Sequence, residues 1–428
     1  MSTTSLADIL VRHHLQEQAE AVAGDQKRGD RMLTGESPAG RCWRQLRAGL
    51  LGLLISTLVA TACNNHADGT SSSTQPPAPA AQSPWPTRGW RTAAPQDHGM
   101  DPGVLAGIDD QARTAFPGLR SVLVVRGGEL VVERYYHGST ATDHHNVFSV
   151  TKSVTSALVG IALSDHHLKS LHQTVGELLG RHLPANTDPD TADITVEQLP
   201  TMTAGIPADP EGGNALPAMF TSRDWVRFVL GQPLVSRPGT RFAYSTQGSQ
   251  LLSAIVTDAT GQSMLAFAQA RLFAPLGIAT NSPAHPVAAP ENQGAFARAG
   301  FAWAEDPQGY QIGGSFLKLT PRDLAKFGYL YLKDGRWEGR QLIPAGYVRA
   351  STQVQSRPPG PAQYGYHWWV VTQPGPPGFF ARGFGGQYLV VLPGLDLVVV
   401  ITCDEAFRPD RDVAAALIGE VILPATTK

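Results

Sequence analysis

Cysteine is scarce in this chain, and neither sign of charge dominates. Three cysteines among 428 residues, Cys42, Cys63 and Cys403, are too few and too scattered for a disulfide framework or a cysteine-based zinc site. With 34 basic and 36 acidic residues, the formal net charge is −2 and no long run of like charges occurs. Because nothing attracts the chain electrostatically to a polyanion, we expect no nucleic-acid partner. The 42 % of hydrophobic residues predicts a folded, globular chain.

Two further motifs are missing. Histidine pairs occur at 144–145 and 166–167, but no His-Glu-x-x-His is present and adjacent histidines on a helix diverge, so we expect no metal and no other cofactor. The chain also lacks the Gly-x-Ser-x-Gly elbow, because Gly261-Gln262-Ser263 continues into Met264.

One apolar run lies near the N-terminus. Three arginines open residues 41–63, a run of about fifteen apolar residues follows at 48–62, and Cys63 comes after small residues. The pattern predicts an export signal and resembles a bacterial lipoprotein signal with Cys63 as the lipidated residue, an ordinary signal peptide or uncleaved anchor being the alternatives. We therefore expect an exported protein on the periplasmic side of a bacterial envelope, tethered to the membrane through Cys63.

The signal divides the chain into segments. Residues 1–40 form an N-terminal extension, unusual before a signal, and Met32 offers a second start position. Residues 64–89, rich in serine and proline, predict a flexible tether. The folded domain is then 90–428.

Both ends of the predicted domain carry hairpin patterns. Residues 121–136 and 387–402 each contain two β-rich runs split by a turn, and 364–371 predicts a further strand. Helical patterns such as 249–261 and 320–335 lie between them. The fold class is therefore α+β: an antiparallel sheet built from both ends of the domain and flanked by helices, with an inserted, mostly helical lobe at about 160–360 and a cleft between the lobes.

A Ser-x-x-Lys tetrad opens the first strong helical pattern. Ser149 begins the helix and Lys152 lies one turn further on the same face, where its amine can approach the hydroxyl. A lysine acts as a base only when neutral, which requires its pKa to fall from about 10.4 through burial or a nearby cation. A second tetrad, Ser315 to Lys318, occurs in a glycine-containing loop, and we interpret it as a coincidence.

Two later motifs follow in a recognisable order. They are Tyr244-Ser245-Thr246 and Phe384-Gly385-Gly386, and 194–207, 272–278 and 313–332 hold supporting phrases. Over residues 95–425 the chain resembles the penicillin-recognising serine hydrolases, in the branch of class C β-lactamases, D-alanyl-D-alanine carboxypeptidases, β-lactamase-fold esterases and 6-aminohexanoate-dimer hydrolases. The resemblance implies a β-lactamase-like fold.

The resemblance also implies roles for individual residues. Ser149 is the acylated nucleophile, Lys152 holds its proton, and Tyr244 is the second base. The backbone N–H groups of Ser149 and Gln387 form the oxyanion hole. Gly385 and Gly386 let substrate approach the strand closely.

Departures from the family pattern bear on the substrate. Thr246 replaces an asparagine amide, and Phe384 replaces a lysine or histidine that would hold a substrate carboxylate. Arg382 is the remaining candidate for a carboxylate contact. The expected function is hydrolysis of a small-molecule ester or linear amide. A β-lactamase, a D-alanyl-D-alanine carboxypeptidase and a catalytically silent protein that binds cell-wall peptide or a partner are the alternatives, and the oligomeric state is open.

Overall fold

The computed structural model describes residues 85–209, 215–280, 290–372, 376–405 and 412–426. Cys63 and the predicted extension and signal lie outside these residues, as does most of the predicted tether. The last residues assigned to the tether pack onto the domain instead. The Trp85 ring contacts Tyr329 and Trp337 at centroid distances of 5.7 and 5.2 Å, and Pro86–Arg88 forms a 3-10 turn. The domain therefore includes Trp85, because two aromatic rings receive its side chain.

Twelve strands and thirteen α-helices are present in the described residues. The strands are β1 Leu119–Arg126, β2 Glu129–Tyr135, β3 His145–Asn146, β4 Ala302–Trp303, β5 Leu317–Leu319, β6 Arg336–Trp337, β7 Arg340–Gln341, β8 Gln363–Tyr364, β9 Trp369–Val371, β10 Gly378–Gly383, β11 Gln387–Leu392 and β12 Leu397–Cys403. The helices are α1 Pro102–Leu105, α2 Gly107–Thr114, α3 Thr151–Ser164, α4 Val175–Leu179, α5 Ala215–Thr221, α6 Trp225–Leu230, α7 Thr246–Thr260, α8 Met264–Ala268, α9 Ala274–Leu276, α10 Pro290–Arg298, α11 Pro321–Leu332, α12 Ala345–Ser351 and α13 Val413–Leu417.

Seven strands form one antiparallel sheet in the order β2-β1-β12-β11-β10-β9-β8. The N-terminal hairpin thus pairs with the C-terminal hairpin, with Leu123 opposite Val400. The predicted α+β class, with a sheet assembled from both ends of the domain, is confirmed. A long segment of mostly helical chain separates β2 from β8, as expected for an inserted lobe.

The sheet is covered on both faces, which explains its unbroken apolar strands. Along β12, Val398 and Val400 belong to the core shared with α3, α7 and α11, whereas Val399 and Ile401 belong to the core shared with α1, α2 and α13. Alternate residues of a strand point to opposite faces, so burial on both sides requires apolar residues at every position. Every residue of β12 is buried accordingly.

Helices α3 and α7 pack together in the helical lobe and begin beside each other. Helix α11 has Thr320 as its N-cap, whose side chain accepts from Asp323 N, and α7 ends at Gly261 in the left-handed conformation, as their sequences predict. No single helix in the described residues has the length and hydropathy of a membrane span. Within the same described residues, α7 and 264–276 pass that test together, as a pair bent by 76°.

Candidate active site

Ser149 and Lys152 meet at the start of α3. A 3-10 turn, Phe148–Val150, carries Ser149 and leads directly into Thr151–Ser164. The Lys152 Nζ atom lies 3.0 Å from Ser149 Oγ. The lysine is only 1 % exposed, whereas Ser149 is half-buried. A partly exposed hydroxyl is therefore in hydrogen-bond contact with a buried amine.

Lys152 Nζ has two further partners, and both act as acceptors. It contacts Thr246 Oγ1 at 2.9 Å and the Gly314 carbonyl oxygen at 3.0 Å. A carbonyl only accepts, and the single hydroxyl proton of Thr246 is donated to the Asp209 carboxylate. Two N–H bonds of a neutral Lys152 must therefore point at these two partners. The lone pair is left facing the Ser149 hydroxyl, which is the orientation a general base needs.

Burial and one nearby carboxylate determine the acidity of Lys152. Burial lowers its pKa from 10.5 to about 8, while the negative charge of Asp209 acts in the opposite direction. Burial likewise raises the pKa of Asp209 above its ordinary value, and Lys152 and Thr246 partly offset that rise. A measurable fraction of Lys152 is therefore neutral at neutral pH.

Tyr244 reaches the same point from the helical lobe. Tyr244 immediately precedes Ser245, which is the N-cap of α7. The Ser245 side chain accepts a hydrogen bond from the Gly248 N–H. The Lys152 Nζ atom lies 4.8 Å from the centroid of the Tyr244 ring, and this ring stacks parallel to Trp369 at 6.0 Å. The segment predicted as the second motif thus brings its tyrosine beside the lysine.

Phe384, Gly385 and Gly386 form the turn of the β10–β11 hairpin. Both glycines have positive φ, 76° and 90°, which a turn of this kind favours. The hairpin lies next to the nucleophile because Gly383 packs closely on the preceding backbone: a Cβ there would be 2.2 Å from the Val147 carbonyl oxygen. The turn therefore lies beside the segment that carries Ser149.

Gln387 begins β11, a strand inside the sheet between β12 and β10 rather than at its edge. Its side-chain amide donates to the Cys403 carbonyl and accepts from the Cys403 N–H, both at 3.0 Å. Gln387 is fully buried. This two-way bond to β12 holds rigid the end of the hairpin from which the predicted oxyanion N–H comes.

Arg382, the predicted candidate for a substrate carboxylate, pairs with a carboxylate of the chain itself. Its Nε atom pairs with Asp412 Oδ2 at 3.3 Å, and its guanidinium lies 5.9 Å from the centre of the Tyr388 ring. Tyr388 belongs to the core under α13, and its neighbour across the hairpin is Arg382. Strand alternation gives Arg382 and Tyr388 the same face of the sheet, and Asp412 is the carboxylate that Arg382 meets.

The second tetrad is structural. Lys318 lies on β5, and its Nζ donates to the carbonyl oxygens of Phe296, Ala297 and Ala299 at 3.2, 3.0 and 2.6 Å. Cations near the C-terminus of a helix stabilise its unpaired carbonyl groups. Lys318 therefore anchors the end of α10.

Three residues near Lys152 had not been singled out from the sequence. Asp209 accepts from the Thr246 backbone N–H and side chain, and its own N–H donates to the Tyr244 carbonyl at 2.7 Å. No local pattern marks it, because it comes from a loop far along the chain. Gly314 has a signal in the pair Gly313-Gly314, since Cβ atoms there would lie 2.1 Å from Ser249 O and 2.7 Å from Thr246 Cγ2.

The third is His367, which is buried behind the lysine. Its Nδ1 lies 2.9 Å from the Lys152 carbonyl oxygen, and its Nε2 lies 3.3 Å from Ser249 Oγ. Because a carbonyl only accepts, Nδ1 carries the proton. Burial lowers the pKa of His367 to about 3, so the ring is neutral and joins α3 to α7 without adding charge.

The chain belongs to the β-lactamase family, because the family model described as "Beta-lactamase" matches residues 77–422. Proteins of this family are generally hydrolases. The sheet and the meeting of Ser149, Lys152 and Tyr244 agree with that membership.

Individual relatives are distant. Protein flp of Staphylococcus aureus strain COL is 24 % identical over 204 residues, which is 46 % of this chain and 38 % of that protein. The alignment thus spans about two fifths of this curated relative. A Bacillus anthracis structure assigned as a 6-aminohexanoate-dimer hydrolase superposes with a TM-score of 0.58 at 19 % identity, covering 74 % of this chain and 80 % of that one. EstCE1, described as a hydrolase with promiscuous acyltransferase activity, superposes with a TM-score of 0.56 at 17 % identity, covering 71 % of this chain and 93 % of that one. At these identities the likeness shows the fold.

Proposed function

We propose that this protein is a serine hydrolase that cleaves an ester or linear amide through an acyl-enzyme intermediate on Ser149. The observation that carries the proposal is the contact of 3.0 Å between Ser149 Oγ and Lys152 Nζ, with the pKa of that lysine lowered to about 8. Nucleophile activation by an adjacent base is the general requirement of such catalysis.

In the acylation step, Ser149 Oγ attacks the substrate carbonyl carbon while its proton passes to the lone pair of Lys152. Thr246 and Gly314 keep the other two N–H bonds of Lys152 occupied, so the proton has one acceptor position. The tetrahedral intermediate then collapses, the bond to the leaving group breaks, and the leaving oxygen or nitrogen takes the proton of the Tyr244 hydroxyl, which becomes a phenolate. The Lys152 cation beside the ring favours a phenolate there, which supports this role.

In the deacylation step, the Tyr244 phenolate takes a proton from water, whose oxygen attacks the acyl carbon. The bond between that carbon and Ser149 Oγ then breaks, and the departing Oγ takes back the proton held by Lys152. We assign the oxyanion hole to the backbone N–H groups of Ser149 and Gln387. Ser149 lies in the first turn of a helix, where N–H groups lack an intrahelical acceptor. The bonded side chain of Gln387 keeps the second donor rigid, which such preorganised stabilisation requires.

The surroundings favour an uncharged ester or linear amide over a penicillin or a D-alanyl-D-alanine peptide. Both of the latter carry a carboxylate beside the scissile bond. Phe384 provides no donor for it, and Arg382 is paired with Asp412. These contacts are the reason to rank the β-lactamase and carboxypeptidase alternatives second.

A fluorophosphonate probe tests the nucleophile directly. We expect labelling of the wild type, loss of labelling in Ser149→Ala, and full labelling in Ser315→Ala. The last variant is the matched control, because it removes the serine of the second Ser-x-x-Lys tetrad. Equal labelling of wild type and Ser149→Ala contradicts the proposal, and no labelling of a folded wild type favours a silent, ligand-binding protein.

A substrate panel tests the reaction class. It contains p-nitrophenyl esters, nitrocefin, a D-Ala-D-Ala peptide and the 6-aminohexanoate dimer, each measured beside Ser149→Ala and Tyr244→Phe. We expect ester or linear-amide turnover that both variants lose. Fast nitrocefin turnover would show that Phe384 does not exclude β-lactams.

A further inference from the structure

Three phenylalanine rings lie on chain segments next to those that carry the candidate nucleophile and its base. Phe148 contacts Phe384 at a centroid distance of 5.6 Å and Phe316 at 6.5 Å. Two more rings support Phe316 from behind, Phe220 at 6.3 Å and Phe296 at 5.9 Å. The first three residues, Phe148, Phe316 and Phe384, are called the phenylalanine cluster below.

Two of these rings are placed by the backbone that carries the nucleophile. Phe148 immediately precedes Ser149 in the same 3-10 turn. Phe384 immediately follows Gly383, which packs against the carbonyl of Val147. A group bonded to Ser149 Oγ therefore has a phenylalanine on the neighbouring residue and another on the neighbouring hairpin turn.

The third ring comes from the segment that holds the base. Phe316 lies two residues after Gly314, whose carbonyl accepts from Lys152 Nζ. Phe316 is half-buried, as is Phe148. The cluster thus follows the chain segments that form the catalytic contacts, and its rings are not sealed inside a core.

The backbone at two of the three positions is strained. Phe148 has a φ of 46° and Phe316 a φ of 61°, which lie in the left-handed backbone region that residues with bulky side chains rarely adopt. Strain of this kind persists when the surrounding structure enforces it, and it concentrates at binding and active sites. The geometry therefore favours a functional role for these two rings over simple packing.

The rim of the cluster is apolar and open. Phe384 is 55 % exposed. The basic residues nearest in sequence are held elsewhere, Arg382 by Asp412 and Lys318 by three carbonyl oxygens. A carboxylate entering the cluster would lose hydration without a partner in either of these two cations, whereas an apolar group would exchange water for aromatic surface.

We infer that the phenylalanine cluster binds an uncharged, apolar acyl group, alkyl or aryl, of the substrate that acylates Ser149. The inference rests on the proposed function and specifies its substrate class. The acyl group is the part of the substrate concerned because it stays bonded to Ser149 after the leaving group departs.

The test measures kcat/KM for p-nitrophenyl acetate, butyrate, hexanoate and octanoate. A further substrate is the p-nitrophenyl monoester of adipic acid, which matches hexanoate in carbon number and adds a terminal carboxylate. We expect kcat/KM to rise about two- to fourfold for each methylene up to hexanoate. We also expect hexanoate to be preferred over the adipate monoester by about tenfold or more.

Substitutions of Phe384 connect this preference to the cluster. Phe384→Ala should lower the hexanoate-to-acetate ratio about three- to tenfold, since it removes one wall of the cluster. Phe384→Lys should lower the hexanoate-to-adipate ratio about threefold or more, because it supplies an ammonium. Val235→Ala is the control, because Val235 is also an exposed apolar side chain, at 50 %, and should leave every ratio unchanged.

The outcomes separate this inference from the proposed function. Fluorophosphonate labelling of Ser149 together with equal rates for acetate and hexanoate, or a preference for adipate, overturns the inference and leaves the proposed function standing. A chain-length preference that Phe384→Ala does not change also overturns it. Absence of both labelling and ester hydrolysis overturns the two together.

Discussion

Replacing Asp209 with asparagine should move the pH dependence of the reaction without removing the nucleophile or the base. The carboxylate of Asp209 raises the pKa of Lys152, opposing the effect of burial. Asparagine keeps an acceptor oxygen for the Thr246 hydroxyl but carries no charge. The variant should therefore have a Lys152 that loses its proton at lower pH than in the wild type.

The size of the effect follows from the pKa of Lys152. With a value of about 8, roughly one lysine in eleven is neutral at pH 7. The wild-type kcat/KM for an ester should accordingly rise about tenfold between pH 7 and pH 9. In Asp209→Asn the rising limb shifts to more acidic pH, and the rate at pH 7 approaches its own plateau. The gain relative to that plateau is at most about elevenfold.

The assay is the pH profile of kcat/KM, which reports groups of the free enzyme. Asp258→Asn is the matched control. Asp258 lies on the same helix as Thr246, about 18 Å further along its axis, and pairs with Arg181 at 2.7 Å. Asp258→Asn should leave the rising limb of the pH profile at the same pH as in the wild type.

Any of three results refutes the reasoning. If the rising limb of the Asp209→Asn profile coincides with that of the wild type, Asp209 carries no charge that affects the pKa of Lys152. A shift to higher pH means that Lys152 is not the group whose deprotonation limits the rate. A wild-type profile that is flat from about pH 6 to pH 9 has the same consequence.

Three further perturbations test other contacts of the site. Lys152→Met should lose stability relative to the wild type as pH rises: the unfolded chain, with a pKa of 10.5, binds this proton more tightly than the folded protein at about 8. Between pH 8 and pH 10.5, the free energy of unfolding of the wild type should therefore rise by about 3 kcal/mol relative to that of the variant, as measured by urea unfolding. Gly383→Ala should destabilise the domain by about 1–3 kcal/mol and slow ester hydrolysis, because the added Cβ meets the Val147 carbonyl. Gly394→Ala is the control: its added Cβ meets no atom within 4 Å, so the melting temperature should stay unchanged. Thr246→Val should reduce kcat/KM about tenfold to hundredfold, because it removes a hydroxyl that accepts a hydrogen bond from Lys152. Thr246→Ser keeps that hydroxyl and should restore most of the lost kcat/KM. Equal rates in the two variants would contradict the role of the hydroxyl.

Local patterns in the sequence were sufficient for the elements and for the order of the motifs. Alternating and unbroken apolar runs predicted the hairpins at both ends of the domain, because strand periodicity and turn residues act over a few positions. The N-cap Thr320 and the terminal Gly261 marked helix ends for the same reason. The tetrad from Ser149 to Lys152 is also local, since one helical turn fixes the distance between its two side chains.

The tertiary structure decided which long-range partners each of these residues has. The second tetrad has the same letters as the first, yet Lys318 binds the end of a helix while Lys152 lies in the active site. Arg382 pairs with Asp412, which lies 30 residues further along the chain. Such pairings join positions far apart in the chain, and no local pattern encodes them.

The electrostatics of the site belong to the fold for the same reason. The sequence by itself determined that a serine and a lysine stand one turn apart, and the resemblance to a hydrolase family rests on that motif and two others. Only folding removes Lys152 from water and brings Asp209 and Thr246 to it, so that its pKa falls to about 8 and its lone pair faces Ser149. A pKa depends on desolvation and on charges nearby in space, and the order of the residues along the chain specifies neither until the chain is folded.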